Sequence, residues 1–178
     1  MIDNNITTLP VDAIGIARAS GIKVLKNSAV GLLTGNESGA CFYNYDIDKW
    51  YMVYDDEATE GRRRVAIAHE LGHIFLGHEL TASKYGRTHG ARKPKAEEQA
   101  DAFAARLLAP ACVLWGLNLR SAEEIEAACN VSVAVAKRRA ERMKVLYARG
   151  KFLASSLERM LYMQFEQFIN ENKENPSI

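Results

Sequence analysis

The chain has 178 residues, 48% hydrophobic and 25% charged, with 23 Lys plus Arg set against 22 Asp plus Glu. A chain of ~150 residues already buries roughly 68–70% of its unfolded surface, so neither a disulfide nor a metal is needed merely to fold it. A formal net charge of +1 removes the global electrostatic case for a nucleic-acid or membrane-surface protein.

The opening residues, Met1-Ile2-Asp3-Asn4-Asn5, carry acid where a secretory signal carries Lys or Arg, and no run approaches the ~18 apolar residues of a membrane span. Cys41, Cys112 and Cys129 form no C-x-x-C pair, which argues against a disulfide framework and a cysteine zinc site. A cytoplasmic protein with three small buried thiols is expected. Pro10 to Arg18 has apolar residues three and four apart with Gly21 as a stop, the pattern of a short first helix. Ile22-Lys23-Val24-Leu25, Gly31-Leu32-Leu33, Ala40-Cys41-Phe42-Tyr43 and Trp50-Tyr51-Met52-Val53-Tyr54 then read as strands of a small antiparallel sheet. Residues 44–49 are the expected hairpin loop. The strand Tyr51 to Asp55 is either an ordinary inner strand or an edge able to take an extended chain by backbone pairing.

From about Glu60 the pattern becomes helical: Arg62 to His78, Pro94 to Leu108, Ser121 to Cys129, Ser132 to Ala148 and Ser155 to Asn170. Ser121-x-x-Glu124 and Ser155-x-x-Glu158 are capping boxes, while Pro94 suits a first helical turn. The stretch between His78 and Pro94 reads as a loop, and the chain from Lys173 as frayed. The fold class is therefore α+β. A core over residues 1–120 is expected, with a helical extension over 121–178 packed on it.

Charge is uneven. Residues 1–60 hold 4 basic and 9 acidic residues, 61–95 hold 8 and 2, and 96–178 hold 11 and 11. Lys137-Arg138-Arg139 with Arg142 and Lys144 makes a compact basic stretch. Because it follows the cadence helix, Asn130-Val131-Ser132, helix, a DNA-binding or regulatory module is the rival functional class. The apolar residues Val131, Val133, Val135, Met143, Val145 and Leu146 favour packing instead, so direct nucleic-acid binding is not the leading expectation.

The chemistry is concentrated in His69-Glu70-Leu71-Gly72-His73, an H-E-x-x-H motif within the apolar helix Val65 to Leu76. Positions i and i+4 lie one turn apart on one helix face, so both imidazoles can reach one ion. Glu70, rotated by one residue, is placed to act as a base on water. A zinc enzyme needs a third protein ligand and an open position. Candidates are His78, His89, Glu79, Glu97, Glu98 and Asp101. Glu97 and Asp101 are four apart, so Glu97 can bind the ion while Asp101 accepts the free ring N–H of a ligand histidine. Glu98 suits the first turn of a helix as an exposed acid. His78, five residues past His73 and ~140° around a continued helix, is poorly placed.

Arg64 to His78, followed by Glu97-Glu98-Gln99-Ala100-Asp101 and on to Ala109-Pro110, resembles the ImmA/IrrE family of zinc metallopeptidases. The resemblance covers roughly residues 8 to 145, leaving Lys151 to Ile178 unmatched. It implies a compact zincin-like fold with an active-site helix, a glutamate helix and a small sheet. It also implies that His69, His73 and Glu97 bind Zn2+ and that Glu70 is the general base and acid. Gln99 stands where the family often has an acid. Tyr85 or His89 could supply a second oxyanion donor. The implied partner is a protein substrate, with a helix-turn-helix repressor of a mobile element or stress response as the leading expectation. A relative that binds zinc without activity and serves as a regulatory subunit is the further alternative.

Overall fold

The computed structural model describes residues 1–35, 37–78, 82–83, 86–87 and 94–173. The backbone divides into two compact units, Ala13–Ala104 and Met1–Asp12 with Ala105–Ile178. The architecture is α+β, and no helix among the described residues is long and apolar enough to cross a membrane.

In the unit 13–104, α1 (Ala13–Ala19) ends where Gly21 adopts φ +76°, and β1 (Lys23–Lys26) follows. The chain then makes a single helical turn, α2 (Asn27–Val30), before the hairpin of β2 (Gly39–Asn44) and β3 (Lys49–Tyr54). Gly31-Leu32-Leu33, expected as a strand, is irregular, because Gly31 caps α2 in the left-handed region with φ 61°. β2 and β3 pair antiparallel, with Cys41 opposite Met52 and Tyr43 opposite Trp50. β1, however, joins β3 in parallel, so the sheet is mixed rather than wholly antiparallel, in the order β1-β3-β2.

That order also overturns the edge reading for Tyr51 to Asp55: β3 is the inner strand and β2 is an edge. The reason is pairing on both sides: residues 51–54 pair with Lys23–Lys26 of β1 while residues 49–54 pair with Gly39–Asn44 of β2, so the backbone groups an added strand would need are already used. Met52 and Val53, which point to opposite faces, are both fully buried.

Next come α3 (Glu60–Phe75), the two-residue strands β4 (Ala82–Ser83) and β5 (Gly86–Arg87), and α4 (Pro94–Leu108). The expected loop after α3 therefore contains a short antiparallel ladder. Helix α3 buries Ala66, Ile67, Ala68, Glu70, Leu71, Gly72 and His73. It stops three residues earlier than its periodicity suggested. Gly77 takes φ +64°, its N–H donates to the Ile74 carbonyl, and the His78 N–H donates to the His73 carbonyl. This paired closure satisfies helix-end carbonyls and needs a residue that tolerates the left-handed conformation.

In the other unit the helices are α5 (Ala111–Gly116), α6 (Ala122–Cys129), α7 (Val133–Arg149), α8 (Ser156–Gln164) and α9 (Glu166–Asn172). Both capping boxes form as expected. Helix α5 was not anticipated, and the single helix expected over 155–170 is broken at Phe165 (φ −94°, ψ 1°). Phe165 and Ile169 are buried, and Gly116 lets Ile169 and Tyr162 approach so closely that a Cβ would sit 2.8 Å and 2.9 Å from them. Gln164 Nε2 donates to the Ile6 carbonyl at 2.6 Å, tying in the N-terminal residues. All three cysteines are free and buried, and burial pushes the Cys112 thiol up to about 11.

Candidate metal centre

The site lies wholly within the unit 13–104 and is assembled from α3 and the first turns of α4. Its precondition is a close helix approach. A Cβ on Gly72 would lie 3.0 Å from the Ala100 Cα, 3.2 Å from the Ala100 carbonyl oxygen and 3.2 Å from the Phe103 Cβ. Glycine on one helix facing alanine on the other thus lets the backbones meet, and Ala100 is fully buried there.

With the helices so close, the side chains flanking Gly72 and Ala100 converge. His69 Nε2 and His73 Nε2 are 2.9 Å apart. Glu97 places Oε2 3.2 Å from His69 Nε2 and Oε1 3.5 Å from His73 Nε2. One ligand atom from each of the three residues lies within 4.8 Å of the others. Zinc bonds of about 2.0–2.1 Å in tetrahedral geometry put neighbouring donor atoms about 3.3 Å apart, so the observed spacing fits one shared ion.

The chemistry of the donors points the same way. Asp101 Oδ1 stands 2.9 Å from His69 Nδ1. A carboxylate only accepts, so His69 donates from Nδ1 and its Nε2 carries the lone pair aimed at His73 and Glu97. Acceptors crowded together at these distances are compatible with a cation among them.

Glu70 is only 4% exposed and occupies the helix position next to His69. It packs against β2: a Cβ on Gly39 would be 3.3 Å from the Glu70 Cγ, and the Cys41 thiol lies 3.7 Å from the Glu70 carbonyl. Glu98 is exposed and is not one of the converging residues. Glu79, Tyr85 and His89 lie outside the described residues.

A model of the IrrE N-terminal-like domain, a peptidase family, matches residues 17–141. The chain belongs to this family. Membership supports metallopeptidase-type chemistry for the IrrE-like chain, and the cluster of His69, His73 and Glu97 is its candidate metal site. No curated protein matches the chain.

Two residues of this IrrE-like site escaped the sequence reading. His78 Nδ1 lies 2.9 Å from His73 Nδ1, and its Nε2 lies 3.2 Å from Gln99 Oε1. His78 is not one of the three converging donors; the turn at Gly77 folds its ring back beside His73. The available signal was Gly77 itself, since a glycine at a helix end marks a left-handed closure that turns the next residue back toward the last turn.

Proposed function

We propose that this protein is a cytoplasmic zinc-dependent endopeptidase that cleaves a helix-turn-helix repressor of a mobile element or stress response. His69, His73 and Glu97 would hold the Zn2+, with Asp101 fixing the His69 ring. Bound there, the ion would supply Lewis acidity that polarises a peptide carbonyl and acidifies water. The observation that carries the reading is the convergence of two imidazole nitrogens and one carboxylate beside a buried glutamate on the same helix.

Glu70 then acts as general base toward water and returns the proton to the leaving amine. Its side chain is buried where α3 packs against β2, which shields it from bulk solvent. The edge strand β2, carrying Gly39 against Glu70, is the element suited to align an extended peptide by backbone pairing. The missing side chain at Gly39 leaves the glutamate room.

The test combines metal content with cleavage. Glu70→Gln keeps size and hydrogen bonding, so its zinc content should match that of the unaltered protein while cleavage of a small helix-turn-helix regulator encoded next to it falls ~10²–10⁴-fold. Undiminished cleavage overturns the mechanism, and far less than one zinc per chain in the unaltered protein overturns the metal assignment.

A second reading is favoured by one observation in the helical unit. Helices α6 and α7 are joined by residues 130–132 with Asn130 left-handed at φ 45°, and α7 buries Ala136, Arg139, Ala140 and Met143 while exposing Lys137, Arg138, Arg142 and Lys144. That is a helix-turn-helix cadence with a basic outer face. A gel shift at physiological salt separates a DNA-binding module from the peptidase. A protein that holds zinc yet cleaves no neighbouring regulator would be a regulatory subunit.

A further inference from the structure

We infer that His78 and Gln99 are positioning residues that hold His73 in the ring form able to bind the ion, an inference that rests on the metal reading above. The two candidate ligand histidines are supported differently. His69 has the Asp101 carboxylate at 2.9 Å, whereas the ring nitrogen of His73 turned away from the cluster meets another imidazole, that of His78, at 2.9 Å.

Two imidazole nitrogens facing each other are a good hydrogen bond in one direction only: one must carry the proton and the other the lone pair. Gln99 decides which. Its Oε1, 3.2 Å from His78 Nε2, has no proton to give, so His78 donates from Nε2. In a neutral imidazole that leaves Nδ1 as the acceptor, and His73 must donate from its own Nδ1. The lone pair of His73 is thereby fixed on Nε2, the atom that faces His69 Nε2 at 2.9 Å and Glu97 Oε1 at 3.5 Å. The chain from Gln99 through His78 to His73 does with neutral groups what Asp101 does for His69 with a charged one.

The fold builds this relay deliberately from backbone geometry. The left-handed Gly77 reverses the chain after α3, and the His78 N–H is anchored on the His73 carbonyl at 3.0 Å. Gln99 is supplied by α4 two residues after Glu97, so the same helix approach that delivers the carboxylate delivers the terminal acceptor. His73 itself is fully buried, so losing the His78 hydrogen bond removes a constraint on its tautomer where bulk water cannot replace it.

The experiment is zinc titration of the apoprotein against a chromophoric chelator, with the visible spectrum of the cobalt-substituted protein as a second readout and circular dichroism to verify folding. His78→Ala should weaken zinc binding ~10–100-fold, the usual range for lost outer hydrogen bonds to a ligand, and alter the cobalt spectrum. Gln99→Leu should weaken it by at least several-fold. Gln99→Glu, which retains the acceptor, should bind within about twofold of the unaltered protein or more tightly. Because Gln99 is exposed, its variants test the relay even if His78→Ala is poorly folded. Unchanged zinc affinity and cobalt spectrum in both His78→Ala and Gln99→Leu overturn the relay, as does an equal loss in Gln99→Glu and Gln99→Leu. If the unaltered protein binds no zinc, the metal site fails and the relay with it; if it binds zinc and the variants do not differ, the relay alone fails.

Discussion

Glu97, Glu98 and Asp101 are three acids within one and a half turns of α4, and their environments separate them. Glu97 reaches both His69 and His73, Asp101 reaches the outer nitrogen of His69, and Glu98 is exposed away from the cluster. Glu97→Ala should therefore abolish tight zinc binding, Asp101→Ala should cost ~10–100-fold in affinity, and Glu98→Ala should leave it unchanged, all read by chelator competition. That His69 and His73 share a helix face with Glu70 rotated off it was legible in the sequence, because four residues make about one helical turn whatever the surroundings. The place of His78 was not legible from periodicity, because the helix ends before reaching it.

Between elements, the decisive contact is α3 on α4 at Gly72 and Ala100. Gly72→Ala places a methyl group 3.0 Å from a backbone carbon, where only a shift of the helices relieves it. The expected outcome is a loss of stability of ~1–3 kcal/mol from overpacking, with zinc affinity falling as well because Glu97 and Asp101 ride on the displaced helix; denaturant unfolding and zinc titration check the two effects. A purely local clash would lower stability and leave affinity intact. The cap of α6 behaves differently. Ser121 accepts from the Glu124 N–H at 3.1 Å, and the Glu124 carboxylate accepts from the Ser121 and Arg120 N–H groups at 2.8 Å each. These bonds, that from the Ser121 backbone foremost, hold the Glu124 carboxyl below its usual range. A depressed carboxyl pKa stabilises the fold above the ordinary glutamate range, and the gain is lost as pH falls through the lowered value. Ser121→Ala should cost ~1 kcal/mol, and Glu124→Gln should flatten part of the acid limb of the stability profile measured by urea unfolding.

For the whole molecule, the ion's expected role is catalytic rather than architectural. The apolar cores stand apart from it: Met52, Val53, Ile67 and Leu71 in the unit 13–104, and Leu114, Ile125, Met143 and Phe165 in the helical unit are fully buried. The donors join only α3 to the start of α4. Chelation should accordingly abolish peptidase activity while far-UV circular dichroism persists, with a lowered melting temperature that zinc restores, as expected for a ligand that binds only the folded state. Loss of helical signal on chelation would make the site structural instead.

By itself, the sequence determined the α+β class, most helix positions, both capping boxes and the order of the two motif blocks, because each depends on interactions within a few residues. Strand existence was local too, since aromatic and β-branched runs between turn residues specify it. The tertiary structure decided what pairs with what. Placing β3 between β1 and β2 depends on β1 joining it in parallel from across a connection, a pairing no single strand states. Breaking the last helix at Phe165 follows from burying that ring and Ile169 in one core. Bringing Gln99 to His78 follows from the Gly72–Ala100 approach and the turn at Gly77 acting together. Such long-range choices are set by packing and hydrogen-bond satisfaction between distant segments, which local propensity does not encode.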